Sequence, residues 1–375
     1  MDNINFSPVE SSRFLLNIHR GSLPDFKVSE IKNYIISNNV DVLILRLSSS
    51  SIASHSNLYN TGFDIIHADS LVYYKSNIES TEINPLKNKL NFVQINSTNN
   101  EKLNEIIPII FKEYQNHYFS NPFLDKEKII EGYIEWAKNY SGIEEGKISW
   151  LIYYENEIAG FATCSFNEQK KECEGVLYGV MPNFSGQGIY SDIIRFTQKY
   201  FKEKGYTRML VSTQLQNIAV QKVWIREGFV IDYSYETYHI NAFLNYSIHP
   251  VKTTSFIITD EIIEDFAKFS GDRNKLHFDK EFAQKIGFKD RISHGMITQS
   301  YLSKIFGIDY PGDGTLYLLN KNIFLAPVYI NIEYKVAIST YFKNENGLYY
   351  ILANVTDKEG NICLLSYNYM LKKQV

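Results

Sequence analysis

The sequence predicts a chain in two parts: an α/β arrangement over about the first 243 residues and an α+β domain over the last third. Three observations carry this expectation. From Val176 to Ile240 the chain reads strand, glycine turn, helix, strand, helix, strand, the order of an α/β fold. The connection from Asn245 to Lys252, which contains Pro250, is the best boundary, and beyond it a strand and two helices precede a strand-rich tail. A length of 375 residues fits two or three domains at about 150 residues each.

The elements follow in order. Val40-Asp41-Val42-Leu43-Ile44-Leu45 reads as a strand, and the serine run Ser48 to Ser51 behind it as a loop. Ile129, Ile130, Tyr133, Trp136, Ala137 and Tyr140 recur at helical spacing. Trp150 to Tyr154 and Ile158 to Phe166 make an apolar hairpin around Glu155-Asn156-Glu157. A strand over Val176 to Met181 enters the glycine turn, and a helix follows over about 189–204. After the strand Met209 to Ser212, a second helix is expected from Asn217, a favourable N-cap, to Glu227, with Gly228 as its stop. Phe229 to Ile240 closes this part as a long strand. In the last third Thr254 to Ile258 reads as a strand, and Ile262, Phe266 and Phe269 mark one apolar helix face. A second helix starts near Ser293-His294-Gly295, and Lys358-Glu359-Gly360-Asn361 turns the chain between two C-terminal runs.

Composition excludes several classes. Lys and Arg number 38 against 42 Asp and Glu, with no basic block, so neither a nucleic-acid partner nor a polybasic membrane patch is expected. The 28 Tyr and 24 Phe are scattered at core-like spacing and read as core aromatics. Cys164, Cys173 and Cys363 form no CxxC and have no histidine at ligand spacing. Neither a disulfide framework nor a metal site is therefore indicated, and reduced, buried thiols in a cytoplasmic protein are expected. Met1-Asp2-Asn3-Ile4-Asn5 shows no signal peptide, and runs such as Ile106 to Phe111 fall far short of the ~20 residues that span a bilayer.

Pro182-Asn183-Phe184-Ser185-Gly186-Gln187-Gly188-Ile189-Tyr190 sits between a strand and a helix. Glycines there let backbone N–H groups face an anion, and the helix N-terminus adds a favourable dipole. About thirty residues on, Thr213-Gln214-Leu215-Gln216-Asn217-Ile218-Ala219 leads into a helix ending Arg226-Glu227-Gly228-Phe229. With these two segments, residues 1–243 resemble the GNAT acyltransferases, most strongly over 176–230. Among them they are similar to the TDP-fucosamine acetyltransferases, which acylate the amine of a nucleotide-linked sugar. The likeness includes Ser212-Thr213-Gln214, the aromatic-rich stretch Asn116 to Trp136, and an N-terminal half-module with Ser12-Arg13-Phe14.

The resemblance implies a half-module over 1–85, a GNAT domain over 86–243 and a coenzyme A thioester as acyl donor. It implies Val180, Ser185, Gly186, Gln187, Gly188, Ile189, Tyr190 and Asn217 as CoA-binding residues. Ser185 and Tyr190 depart from the Gln or Arg and the Gly or Ala usual at those places; since backbone N–H groups do most of the binding, CoA binding is expected to survive. Trp224 stands where the sugar acetyltransferases carry their general-acid tyrosine. An indole can donate a hydrogen bond but cannot deliver a proton. Tyr190 could substitute, although a core or CoA-packing place is expected for it. Glu172 and Glu174 could deprotonate the amine, but both are expected on the solvated surface.

In the last third, Phe269-Ser270-Gly271-Asp272-Arg273-Asn274-Lys275-Leu276-His277-Phe278-Asp279 precedes Ser293-His294-Gly295-Met296-Ile297-Thr298-Gln299-Ser300. Hydrating a 2-enoyl thioester requires a water held by acid/base groups and a donor for the thioester oxygen. Asp272 and His277, five apart across a Gly/Asn loop, could converge on one water. Gly295 N–H at a helix start could meet the oxyanion. Taken singly, Asp272 could be a turn residue, His277 a core histidine and Gly295 a packing glycine. The combined pattern, Ser-Gly-Asp-x-Asn-x-x-His-x-Asp and then His-Gly-Met, resembles the MaoC-like (R)-specific enoyl-CoA hydratases over about 253–375. Phe324-Leu325-Ala326-Pro327-Val328-Tyr329 matches that family's strand after the central helix. The resemblance implies a single hotdog domain, Asp272 and His277 as catalytic pair, Gly295 as oxyanion donor and Ser300 orienting the pair. Lys275 replaces a usual proline, and His294 reads as support for the helix start.

Residues 244–252 are then a linker between two acyl-CoA-handling parts. The leading expectation is a bifunctional enzyme that hydrates a short enoyl-CoA such as crotonyl-CoA to an (R)-3-hydroxyacyl-CoA. It would then move that acyl group to the amine of a nucleotide-linked amino-deoxy sugar for surface polysaccharide, as a homodimer through the hotdog part. The alternatives are a sugar N-acetyltransferase with a separate or vestigial hydratase, and a hydratase with a non-catalytic CoA-binding GNAT module.

Overall fold

The computed structural model describes residues 3–141 and 146–373; Met1 and Asp2 of the N-terminal reading lie outside them. The chain divides into two compact units, Met1–Tyr34 with Val42–Asn241, and Ile35–Asp41 with Ala242–Val375.

The first unit is an α/β structure on one ten-stranded sheet. Its strands are β1 (Ile4–Phe6), β2 (Ile18–Leu23), β3 (Val42–Ser48), β4 (Asp64–Asn77), β5 (Leu90–Gln94), β6 (Lys147–Tyr154), β7 (Glu157–Asn167), β8 (Glu172–Val180), β9 (Arg208–Gln214) and β10 (Val230–Asn241). They lie in the order β1-β2-β3-β10-β4-β9-β8-β7-β6-β5. The buried run Val42–Leu45 explains why β3 sits inside the sheet, parallel to β2 and antiparallel to β10. The β6–β7 turn is narrower than the sequence suggested: Glu155 and Asn156 take positive φ, and Glu157 already belongs to β7. Ser49–Ser51 is a 3₁₀ turn continued by the helix Ile52–His55 rather than a loop, because Ser48 Oγ accepts the Ser50 N–H and starts the turn.

The decisive irregularity lies between β8 and β9. These strands pair in parallel from Glu172↔Arg208 to Gly175↔Val211 and no further, although β8 continues to Val180 and β9 to Gln214. Beyond that point they splay. The helices Ile189–Glu203 and Ile218–Arg226 follow the two splayed ends. The second ends at Gly228, whose φ of +85° suits glycine. Asn217 occupies the N-cap position, but its side chain does not cap: it donates to Thr213 Oγ1 at 3.0 Å.

The second unit is α+β. Strands β11 (Lys252–Ile257), β12 (Thr315–Phe324), β13 (Glu333–Lys343), β14 (Leu348–Thr356) and β15 (Ile362–Lys372) form an antiparallel sheet in the order β11-β13-β14-β15-β12. The helix Gly295–Lys304 and the turn after it give Ile297, Leu302, Ile305 and Phe306 to the core, against Val336, Ile351 and Leu364 of the sheet. This is the hotdog arrangement, a sheet around a central helix. In the helix Asp260–Ser270 the buried residues are Ile263 and Ala267, while Phe269 is 90% exposed, contrary to its expected place on the apolar face. The Phe324–Tyr329 run is not a strand throughout. β12 ends at Phe324, and the rest is fixed by a bond from Ser293 N to Val328 O (2.7 Å) and a bridge between Ile292 and Tyr329.

All three cysteines are buried, and no disulfide joins them. Among the described residues no helix is long and apolar enough to cross a membrane.

Gly160 of β7 lies where the backbone of β8 comes closest: an added Cβ would stand 2.3 Å from Gly179 O. Gly160→Ala is expected to destabilise the first unit by about 1–3 kcal/mol, as overpacked positions do. Urea unfolding followed by tryptophan fluorescence measures this, and an unchanged midpoint would contradict it.

Candidate functional site

In the first unit the glycine turn is shaped by its own backbone and clamped by a buried ionic network. Gly186 and Gly188 have φ of +78° and +86°, and Gly188 is the N-cap of Ile189–Glu203. The first N–H groups of that helix have no partner within it, so the turn presents donors to an anion. Asp192, one turn in and fully buried, accepts from the N–H groups of Lys87 and Asn88 (2.9 Å each) and from Asn88 Nδ2 (2.8 Å). Asn88 Nδ2 also reaches Gln187 O at 3.2 Å. Arg195 joins Asp192 at 3.2 Å and holds both oxygens of Glu227 at 2.7 and 2.8 Å, tying the turn to the end of the second helix. The stem of Lys87, which the sequence reading did not single out, passes close to Gly188, its Cδ 4.0 Å from where a Cβ there would stand.

Of the expected CoA-binding residues, Val180, Ser185, Gly186, Gln187, Gly188, Ile189 and Tyr190 run continuously from the splayed end of β8 through the turn. Asn217 sits at the splayed end of β9. Ser185 and Gln187 are exposed, whereas Ile189 is buried. Tyr190 packs edge-on to Tyr178, and burial pushes its phenol far above the usual range. Such a phenol gives up its proton less readily.

Beside the splay lies a cavity of about 420 Å³, lined by residues of the N-terminal helix Pro8–Phe14, the helix Glu127–Lys138 and strands β2, β3, β4, β8 and β9. Its charged groups are Glu10, Arg13, Arg20, Arg46, Glu135 and Glu174. Glu10 ion-pairs with Arg20 (3.2 Å) and Glu135 with Arg13 (2.6 Å). Glu174 is not on the solvated surface. It lines the cavity, and burial raises its carboxyl pKa, opposed by the charge of Arg46. Glu172, on the same face of β8 two residues earlier, is half-buried and pairs with Arg208 at 3.2 Å.

Two further cavity residues escaped the sequence reading. The Tyr114 hydroxyl donates to Gln214 Oε1 and interacts with Thr213 and Asn217, at the mouth of the splay. His117 is bonded through Nδ1 to His239 Nε2 at 2.8 Å. The Phe123 N–H on Asn121 Oδ1 turns the Asn121 amide nitrogen toward His239 Nδ1, at 3.2 Å. His239 therefore accepts on Nδ1 and donates from Nε2 to His117 Nδ1, which leaves the His117 proton on Nε2. Trp224 is buried, and its indole nitrogen has no hydrogen bond of full geometry.

In the second unit the loop after Gly271 is built from local caps. Gly271 ends a helix with φ +77°, Ser270 Oγ accepts from Asp272 N (3.1 Å), and Asp272 Oδ1 accepts from Asn274 N (3.1 Å). Asn274 then caps the one-turn helix Lys275–Phe278, which carries His277. Lys275 is the first residue of that helix, the position where proline is favoured because the N–H has no helical partner there. His277 is buried and bonds Ile292 O through Nδ1 at 2.8 Å, so its proton is on Nδ1 and Nε2 is the basic nitrogen. His294 stacks on His277 at 3.7 Å and holds the Asp272 carbonyl through Nε2 at 3.0 Å. Ligand atoms of Asp272, His277 and His294 lie within 4.8 Å of one another, a spacing that a water or a cation could bridge.

Gly295 opens the central helix directly after His294, and an added Cβ would strike the Phe324 ring at 2.9 Å. Glycine there admits Phe324 and leaves a helix-start N–H facing outward from the helix end. Ser300 is exposed, and its hydroxyl donates to Met296 O at 2.9 Å; no hydrogen bond ties it to Asp272 or His277.

Both units thus have the folds of two enzyme families. Residues 109–229 match the acetyltransferase (GNAT) family, and residues 247–347 match the MaoC like domain. A mitochondrial 3-hydroxyacyl-[acyl-carrier-protein] dehydratase of Arabidopsis thaliana is 34% identical over 126 residues, covering 29% of this chain and 75% of that protein. An (R)-specific enoyl-CoA hydratase of Rhodospirillum rubrum is 38% identical over 73 residues, covering 20% of this chain and 51% of that one. The spore coat polysaccharide biosynthesis protein SpsD of Bacillus subtilis is 24% identical over 126 residues, covering 34% of this chain and 43% of that one. The chain belongs to the MaoC-like family through its C-terminal part, joined to a GNAT acetyltransferase domain. It spans about half the length of several curated relatives that it matches.

Burial holds both His117 and His239 neutral, His239 with a pKa down to about 3. In the unfolded chain both take up a proton below about pH 6.5, so acid favours unfolding. Stability is expected to fall progressively from pH 6.5 toward pH 3. His239→Gln should flatten that decline in urea titrations at stepped pH; an unchanged slope would contradict the assignment.

Proposed function

We propose that this chain makes an unusual acyl donor in one unit and uses it in the other. The second unit hydrates a short 2-enoyl-CoA such as crotonyl-CoA to an (R)-3-hydroxyacyl-CoA. The first transfers the acyl group to the amine of a nucleotide-linked amino-deoxy sugar. The observation that carries this reading is the presence, in one chain, of an acyl-transfer splay with a polar cavity and an Asp272–His277 site. The similarity to SpsD supports a place in polysaccharide biosynthesis.

In hydration, His277 Nε2 takes a proton from a water that Asp272 helps to hold. The water oxygen bonds C3 of the enoyl thioester, the C2=C3 double bond breaks, and the proton passes from His277 to C2. Gly295 N–H receives the thioester oxygen as it gains negative charge. In transfer, CoA lies with its pyrophosphate on the 185–190 turn and its extended pantetheine along the open edge of β8. Glu174, its basicity raised by burial, accepts the proton of the acceptor ammonium. The free amine attacks the thioester carbonyl and the C–S bond breaks; Tyr114, at the mouth of the splay, protonates the leaving CoA thiolate and recovers a proton from the nitrogen as it becomes the amide.

A second reading, a first unit that binds CoA without transferring, is favoured by Trp224 alone. Incubation with crotonyl-CoA and a TDP-linked amino sugar, read by mass spectrometry, separates the two. The expected product is the 3-hydroxybutyryl amide. Asp272→Asn or His277→Ala should lower its formation by about 10²–10⁴, while added (R)-3-hydroxybutyryl-CoA restores it. Acetylated sugar alone, from acetyl-CoA alone, would remove the donor-making role.

The hydratase unit is further proposed to pair with a second copy. The edge strand β12 exposes Leu316, Leu318, Leu319 and Phe324, an apolar row that a paired copy would cover. Light scattering should give a dimer, and Leu318→Lys with Leu319→Lys should shift it to monomer; a monomeric wild type would contradict this.

A further inference from the structure

Three adjacent strands of the first unit carry a row of polar side chains that the protein leaves unsatisfied. Thr237 of β10 is paired on one side with Arg46 of β3 and on the other with Asp69 of β4. Directly opposed residues of antiparallel strands send their side chains to the same face. On β4 that face continues to Leu71 and Tyr73, which line the cavity together with Arg46, while Asp69 and Thr237 lie on the same face just behind its lining. The charge of Asp69 is felt by Tyr114 and Tyr133, both also in the cavity wall.

Arg46 Nε, Thr237 Oγ1 and both carboxylate oxygens of Asp69 are buried without a hydrogen-bond partner. Asp69 is 9% exposed and Thr237 1%. Buried polar groups in folded proteins are almost always paired, so adjacent orphans on one face are a signal rather than an accident. The cavity's other cations, Arg13 and Arg20, have carboxylate partners. Among the described residues no ion pair reaches Arg46 or Asp69.

We propose that Arg46, Thr237 and Asp69 form the strip that recognises the acyl acceptor. Asp69 receives its O–H or N–H donors, the Thr237 hydroxyl meets a neighbouring hydroxyl, and Arg46 takes a ring or anionic oxygen. Two strand spacings of about 4.8 Å put the ends of the row about 10 Å apart, the reach of a hydroxylated sugar ring with its substituents. An apolar amine of the same size would leave the strip unpaired, and a site of this kind discriminates strongly against such analogues. The strip rests on the acyltransferase reading of this unit and its amino-sugar acceptor, and adds to it the residues that read the acceptor's hydroxyls.

The full-length protein is titrated calorimetrically with CoA and, separately, with TDP-4-amino-4,6-dideoxygalactose, as wild type and as Asp69→Asn and Thr237→Val. Both variants should bind CoA within about twofold of wild type and the amino sugar at least about tenfold more weakly. Their melting temperatures should be equal to or higher than that of wild type, because groups kept for a ligand cost stability in its absence. Unchanged sugar affinity in both variants would overturn the strip. So would a fall in melting temperature of about 4 °C or more, which would show a structural partner for Asp69. A wild type that binds CoA but not the sugar would overturn the acceptor class. A wild type that binds no CoA would instead remove the transferase reading beneath it.

Discussion

The first unit depends on a backbone ladder that stops early. β8 and β9 share only the pairs from Glu172↔Arg208 to Gly175↔Val211, and the groups assigned to CoA lie where they part. Two strand edges inside a sheet are ordinarily satisfied by each other. Separated, they offer unpaired amide groups to an extended ligand, and the residues at their ends, Val180 and Gln214, fall on opposite lips of one opening. The glycine turn, Tyr114 and Asn217 all take their positions from those lips.

Such an opening needs support on the far side. The buried Asp192–Arg195–Glu227 network supplies it by joining the two helices that leave the splayed strands. A buried ion network is weak evidence for net stability, but losing one member leaves an uncompensated charge, so it defines the geometry sharply. Asp192 spends its remaining acceptor capacity on the Lys87–Asn88 backbone, and Asn88 in turn on Gln187. The second unit is organised differently. Ser270, Asp272 and Asn274 each fold the loop by bonding a backbone N–H two residues away, and His277 and His294 complete it by gripping carbonyls. There the site is a product of short-range turn chemistry.

That contrast explains what could be read from the sequence. The Asp272–His277 loop, the glycine turn and the helix stop at Gly228 are local: the residue types and their spacing state the turn, and the structure returns them nearly where expected. Glu174 was misread because strand alternation alone does not say which face meets a cavity. Phe269 was misread because helical spacing places it near the apolar stripe, while the actual packing runs through Ile263 and Ala267. Ser300 turns its hydroxyl back to the Met296 carbonyl four residues earlier, as a helical serine can whatever lies beside it, so helix spacing alone does not say what it orients.

By itself the sequence determined the families of the two parts and the residues whose places follow from a local turn or cap. Only the tertiary structure decided which side chains share the cavity: Arg46, Tyr114, His117 and Glu174 come from segments far apart in the chain. The physical reason is that a cross-strand row such as Arg46–Thr237–Asp69 is fixed by sheet order and register. β10 inserts between β3 and β4, and no pattern within any one of those strands announces it.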